Sequence, residues 1–191
     1  MSNSNQWIKS TLISIDGYSR VIEQTIGQLD DQQLFQPPAA GFNSVANILR
    51  HLGGNLTSRW TNFMTEDGEK PNRNRDTEFE PWTDGRAALE AYFQSGWQNF
   101  RFSIENLSDD DLQQTIYIRG EAHTVPQAIT RSLTHASYHV GQIVMVARMA
   151  FNDDENWQWS SIKPGHSQQH NKKTWGTSAA RSVQGENTNE S

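Results

Sequence analysis

The 191-residue chain contains no cysteine. That absence excludes a disulfide framework, thiolate zinc clusters and a cysteine nucleophile, and it fits a reducing compartment. Long apolar runs are missing too: none approaches the roughly 20 residues needed to span a bilayer. Basic residues are in deficit, 16 Lys and Arg against 22 Asp and Glu, for a net charge of -6. The acids are spread along the chain rather than gathered in a block, and an evenly acidic surface argues against nucleic-acid or anionic-membrane partners. The opening residues Met1 to Trp7 lack the basic segment and apolar stretch of a signal peptide. The expected protein is soluble and cytoplasmic, with a small molecule as its substrate.

What is present is helical periodicity. Four segments carry apolar residues with a period near 3.6, from Ile8 to Leu29, Val45 to Phe63, Leu89 to Leu107 and Ile129 to Ala147. Each stripe can bury against the others, which predicts an all-α fold, a four-helix bundle. Start signals agree: Asn43 or Ser44 for the second helix, Thr83 or Asp84 for the third, and Thr124 with Pro126 in the first turn of the fourth. Between helices three and four, residues 114–125 alternate apolar and polar about Gly120, which predicts a short hairpin or extended insertion. Residues 65–81 are polar and flanked by proline, the composition of a surface loop. The chain past Lys163 is rich in Gln, Asn, Ser, Thr and Gly, so the expected organisation is a bundle over 1–163 and a disordered tail over 164–191.

The chemistry-bearing residues are histidines. His135 and His139 lie four apart in the fourth helix, so both project from one face about one turn apart. Two imidazoles so placed can reach one cation, and His51 on the second helix can supply a third. Imidazole suits zinc, nickel, copper or ferrous iron, and three histidines with no fourth protein ligand leave positions open for water or substrate. The plainer alternative is that partly buried histidines satisfy hydrogen bonds and nothing more. His166 and His170 share the spacing without a core face, and His123 falls in the hairpin. The first two read as surface histidines of the polar tail and His123 as a surface or loop-packing residue. No Glu follows His135 in His135-Ala-Ser-Tyr-His139, which disfavours metalloprotease chemistry. Asn55, Arg59, Tyr138 and Gln142 lie near the histidines on the helical wheel as substrate-orienting groups or as bundle surface. Asp16 and Glu23 on the first helix are within conceivable reach. Trp60 and Trp97 read as packing residues.

The segments His51-Leu-Gly-Gly-Asn-Leu-Thr-Ser-Arg-Trp60, Ser132-Leu-Thr-His-Ala-Ser-Tyr-His-Val-Gly-Gln-Ile143 and Trp159-Ser-Ser-Ile-Lys-Pro-Gly-His166 resemble the DinB/YfiT-like superfamily of metalloenzymes. The resemblance covers about residues 5–170. It implies a four-helix bundle, often a homodimer, with a divalent metal, usually zinc or nickel, held at His51, His135 and His139. It also implies transferase chemistry with a low-molecular-weight thiol such as bacillithiol or mycothiol as cosubstrate. Asn55, Arg59 and Tyr138 would then position the substrate in the catalytic site. A small metal-dependent hydrolase and a non-catalytic metal-binding bundle are the rival expectations.

Overall fold

The structure, a computed structural model, describes residues 5–175. Four long helices form the bundle: α1 (Gln6–Ile26), α3 (Val45–Trp60), α4 (Arg86–Glu105) and α5 (Val125–Phe151). A short helix, α2 (Asp31–Phe35), follows α1 and was not foreseen from the periodicity, because five residues are too few to show a repeat. The Asp30 and Gln33 side chains close a capping box that lets so short a helix form. Each of α1 and α3 packs against both α4 and α5.

Local signals explain most boundaries. Ser44 accepts from the Asn47 backbone while Asn47 reaches back to the Ser44 backbone, so Ser44 rather than Asn43 starts α3. Thr124 and Gln127 close the same box at α5, with proline in its first turn. Helix α4 departs from expectation. Its first turn is preceded by Gly85 at φ 81°, and neither Thr83 nor Asp84 caps it. At that positive φ the chain turns where glycine carries no steric cost, and the Gly85 carbonyl instead accepts from the Trp82 indole at 2.9 Å.

The interior is filled by the four stripes, with Ile15, Leu52, Phe93, Phe100, Ile129 and Ile143 fully buried. Helices α3 and α4 approach closely at two glycines: a Cβ on Gly96 would lie 2.3 Å from the Gly53 carbonyl oxygen. The hairpin is β1 (Thr115–Ile118) with β2 (Glu121–Thr124), antiparallel and in register Ile118 to Glu121. Arg119 and Gly120 both take positive φ, the geometry that a two-residue turn between right-twisted strands demands.

The segment expected to be a surface loop is more than that. The Asp67 carboxylate accepts from the backbone N–H groups of Arg119 and Gly120, and the Gly68 N–H donates to the Tyr117 carbonyl. This stretch is thereby tied to the hairpin, and a 3-10 turn at Asp76–Phe79 carries the buried Glu78. The described residues fall into two compact units that divide between Gln158 and Trp159. In the second unit, within the stretch expected to be a disordered tail, Ser167–Trp175 instead form a helix, α6. Its glutamines and lysines are straight-chain residues that lose little rotamer freedom on becoming helical. Residues 176–191 of that tail lie outside the described residues. Among the described residues no helix is long and apolar enough to cross a membrane.

Candidate metal centre

Helices α3 and α5 pack against each other, and that packing brings His51 to His135 and His139. The Nε2 atoms of His51 and His135 are 3.4 Å apart, those of His135 and His139 3.1 Å. Candidate ligand atoms of all three residues lie within 4.8 Å of one another. Four nitrogens held at about 2.1 Å around a tetrahedral ion stand about 3.4 Å apart, so the observed spacing fits the donors of one cation.

The opposite ring nitrogens decide which tautomer is present. His51 Nδ1 meets the Glu78 carboxylate at 2.8 Å and His139 Nδ1 meets the Gln142 amide oxygen at 2.7 Å. Both partners only accept, so each Nδ1 carries the proton and each Nε2 offers its lone pair inward. His135 Nδ1 is buried without a hydrogen-bond partner among the described residues. Burial, followed by the charges of His139 and His51, lowers the His135 pKa to about 3. Burial, then His51, lowers that of His139 to about 4, against the Gln142 hydrogen bond. The imidazoles of His135 and His139 are therefore neutral near pH 7, as ligands must be. His135, with no partner on Nδ1, can either carry its proton on Nε2 toward a neighbouring imidazole or offer that lone pair to a cation.

Behind His51 stands a layer that the sequence reading missed. Glu78 is buried at 4 % exposure and accepts two hydrogen bonds from Arg73, at 2.8 and 2.9 Å. Burial would raise its carboxyl, but the bonds from His51 and Arg73 and the Arg73 charge together hold it below the usual carboxylate range. An ionised Glu78 orients His51 and makes it a stronger donor, the role carboxylates commonly play behind metal-binding histidines. Phe79, next in the chain, stacks on the His51 ring at 4.9 Å. An acid beside an aromatic residue in a polar loop was the only trace of this in the sequence, and Glu80 a few residues on is not distinguished by composition. On the other flank Gln142 donates to the Tyr138 hydroxyl at 2.9 Å, and the Tyr138 ring meets His139 edge-on.

A pocket of about 470 Å³ opens over His51 and His135. Asn55, Arg59 and Tyr138 all line it. Arg59 is buried and engaged: it pairs with Glu69 at 2.9 Å and donates to the Gly68 carbonyl. Other candidates are elsewhere. Asp16 pairs with Arg101, Glu23 accepts from Ser19 and Gln94, and His123 contacts the Glu121 carbonyl in the hairpin. His166 and His170 lie in the second unit. Trp60 and Trp97 are buried in the bundle core.

Fold and site together define a helical bundle with a three-histidine cluster under an open pocket. The chain belongs to the family described as Protein of unknown function (DUF1572), which it matches over residues 2–166. Among solved structures it is similar to YfiT from Bacillus subtilis, described as a probable metal-dependent hydrolase with an unusual four-helix bundle topology. The similarity has a TM-score of 0.62 at 18 % identity and covers 77 % of this chain and 89 % of YfiT. The four-helix bundle expected from the motifs and their YfiT-like resemblance is thus borne out in the fold. No curated protein matches the chain.

Proposed function

We propose that this protein is a metal-dependent hydrolase of small molecules, with a divalent ion held by His51, His135 and His139. The observation that carries the reading is the convergence of the three Nε2 atoms beneath an open pocket. Three neutral ligands leave the charge of an ion undiminished, whereas thiolate or carboxylate ligands would partly cancel it. The chemistry supplied by an ion so bound is Lewis acidity, which lowers the pKa of water and polarises a carbonyl or phosphoryl oxygen. The similarity to YfiT, itself described as a probable metal-dependent hydrolase, favours water over a thiol as the group activated.

The chain's own residues do the holding and orienting. Glu78 and Gln142 fix the rings of His51 and His139. Tyr138 accepts from Gln142, which leaves its phenolic proton available to a substrate oxygen at the rim. Asn55 offers an amide from the wall, and Arg59 braces the loop that frames the opening. Among the described residues no carboxylate lines this pocket, so activation of water falls to the histidine site rather than to an acidic general base. Zinc or nickel suits an all-imidazole donor set. The homodimer and cytoplasmic location expected from the sequence belong to the same reading.

Elemental analysis of protein purified without added metal, with hydrolysis of an ester and amide panel, tests the proposal. Activity should vanish with chelation and in His139→Ala. Equal rates in wild type and His139→Ala would overturn it. A rate that requires added bacillithiol or mycothiol would instead favour the thiol S-transfer expected from the family resemblance.

A further inference from the structure

We propose that the pocket above the histidines receives a small molecule bearing an oxyanion, a carboxylate or phosphate, on Arg75, Arg131 and the Asn55 amide. This deepens the hydrolytic reading, on which it rests for the bond that reacts, and adds the charge of the substrate.

Among the described residues five arginines line the pocket and no acid does: Arg59, Arg73, Arg75, Arg119 and Arg131. Three of them are engaged just outside it. Arg59 and Arg119 share the Glu69 carboxylate at 2.9 and 3.0 Å, and Arg73 holds Glu78 and a more distant Glu69 oxygen. Three carboxylates, Glu69, Glu78 and the Asp67 that accepts from the Arg119 backbone beside Arg59, against five guanidinium groups leave an excess of positive charge, in a chain whose net charge is -6. A bound divalent ion would raise it further. A concave site of one sign concentrates field lines and draws in counter-charged solutes.

The guanidinium groups of Arg75 and Arg131 have neither a carboxylate nor a hydrogen-bond partner among the described residues. Arg75 is nonetheless held in place, its guanidinium 5.0 Å from the centre of the Phe79 ring that stacks on His51. It lines the same pocket as His51 and His135. Arg131 lies one turn before His135 on α5, and so shares its face. Opposite them Asn55, one turn beyond His51 on α3, is only 9 % exposed and has no side-chain hydrogen bond among the described residues. Asn55 lines the pocket, so its amide is available to a ligand there. Two guanidinium forks and an amide match the planar carboxylate or the phosphate in both charge and shape.

Calorimetric titration of metal-loaded protein with succinate, inorganic phosphate and the neutral isostere succinamide tests this, with bound metal measured on each sample. Succinate or phosphate should bind, the preferred one naming the oxyanion, while succinamide should not. Arg75→Ala or Arg131→Ala should weaken the preferred anion at least tenfold with metal content unchanged. Lysine at either position should restore part of the loss, and added salt should weaken binding in the wild type more than in the variants. Succinamide binding as well as succinate, or both alanine variants binding like wild type, would overturn the proposal. Metal uptake without anion discrimination sinks the oxyanion site alone. Anion binding that depends on the two arginines in protein that takes up no metal sinks the hydrolase and leaves the oxyanion site standing.

Discussion

Glu78 shows how much one side chain can decide. Its carboxylate is shared between His51 and Arg73, so it fixes a ring, a tautomer and the end of a loop at once. Glu78→Gln keeps the shape but removes the charge, and metal affinity should fall about 10- to 100-fold, the usual effect of losing such a partner. Competition with a chromophoric chelator reads that change, and unaltered affinity would mean His51 is oriented without it. Arg73 keeps Glu69 as a second carboxylate, at 3.5 Å, so the variant should still fold. The three histidines differ in how visible they were. His135 and His139 announce themselves by spacing on a single helix, whereas the match of His51 to them depends on which helices pack together.

Among the elements, α3 bears the most on the site, because it carries His51, Asn55 and Arg59 and is buried along most of its length. Its position is set by the close approach of Gly53 to Gly96 on α4. Gly96→Ala would drive a methyl group into the Gly53 carbonyl and the Thr57 hydroxyl, forcing the helices apart. Overpacking of this kind costs about 1–3 kcal/mol, to be measured by urea denaturation. Because α3 must move, the same variant should also bind metal more weakly, a coupling that a purely local clash would not produce. Sequence read these elements unevenly. The long helices were legible from a period sustained over several turns, and the hairpin from alternation about Gly120. The stretch from Thr61 to Gly85 was not, since its structure comes from long-range bonds such as Asp67 to the hairpin turn and Glu78 to His51.

The whole molecule combines a large apolar core with a small polar mouth. Fully buried residues come from all four long helices, Ile15, Phe93, Phe100 and Ile129 among them, so the bundle has an interior that does not depend on metal. Chelated protein should therefore stay folded yet melt at lower temperature. An ion at a hundred times its dissociation constant stabilises the native state by about 2.7 kcal/mol, since it binds the folded form alone. Thermal melting with and without chelator checks this, and identical curves would mean that no ion is bound by the native state.

Periodicity, caps and turn chemistry are properties of neighbours along the chain, and they determined the four helices, the hairpin and the shared face of His135 and His139. Tertiary packing alone decided that His51 completes the cluster, that Glu78 stands behind it, and that five arginines ring the opening. These groups are drawn from positions spread between residues 51 and 139 of the chain. Their meeting is governed by how helices and loops dock, which no local pattern encodes.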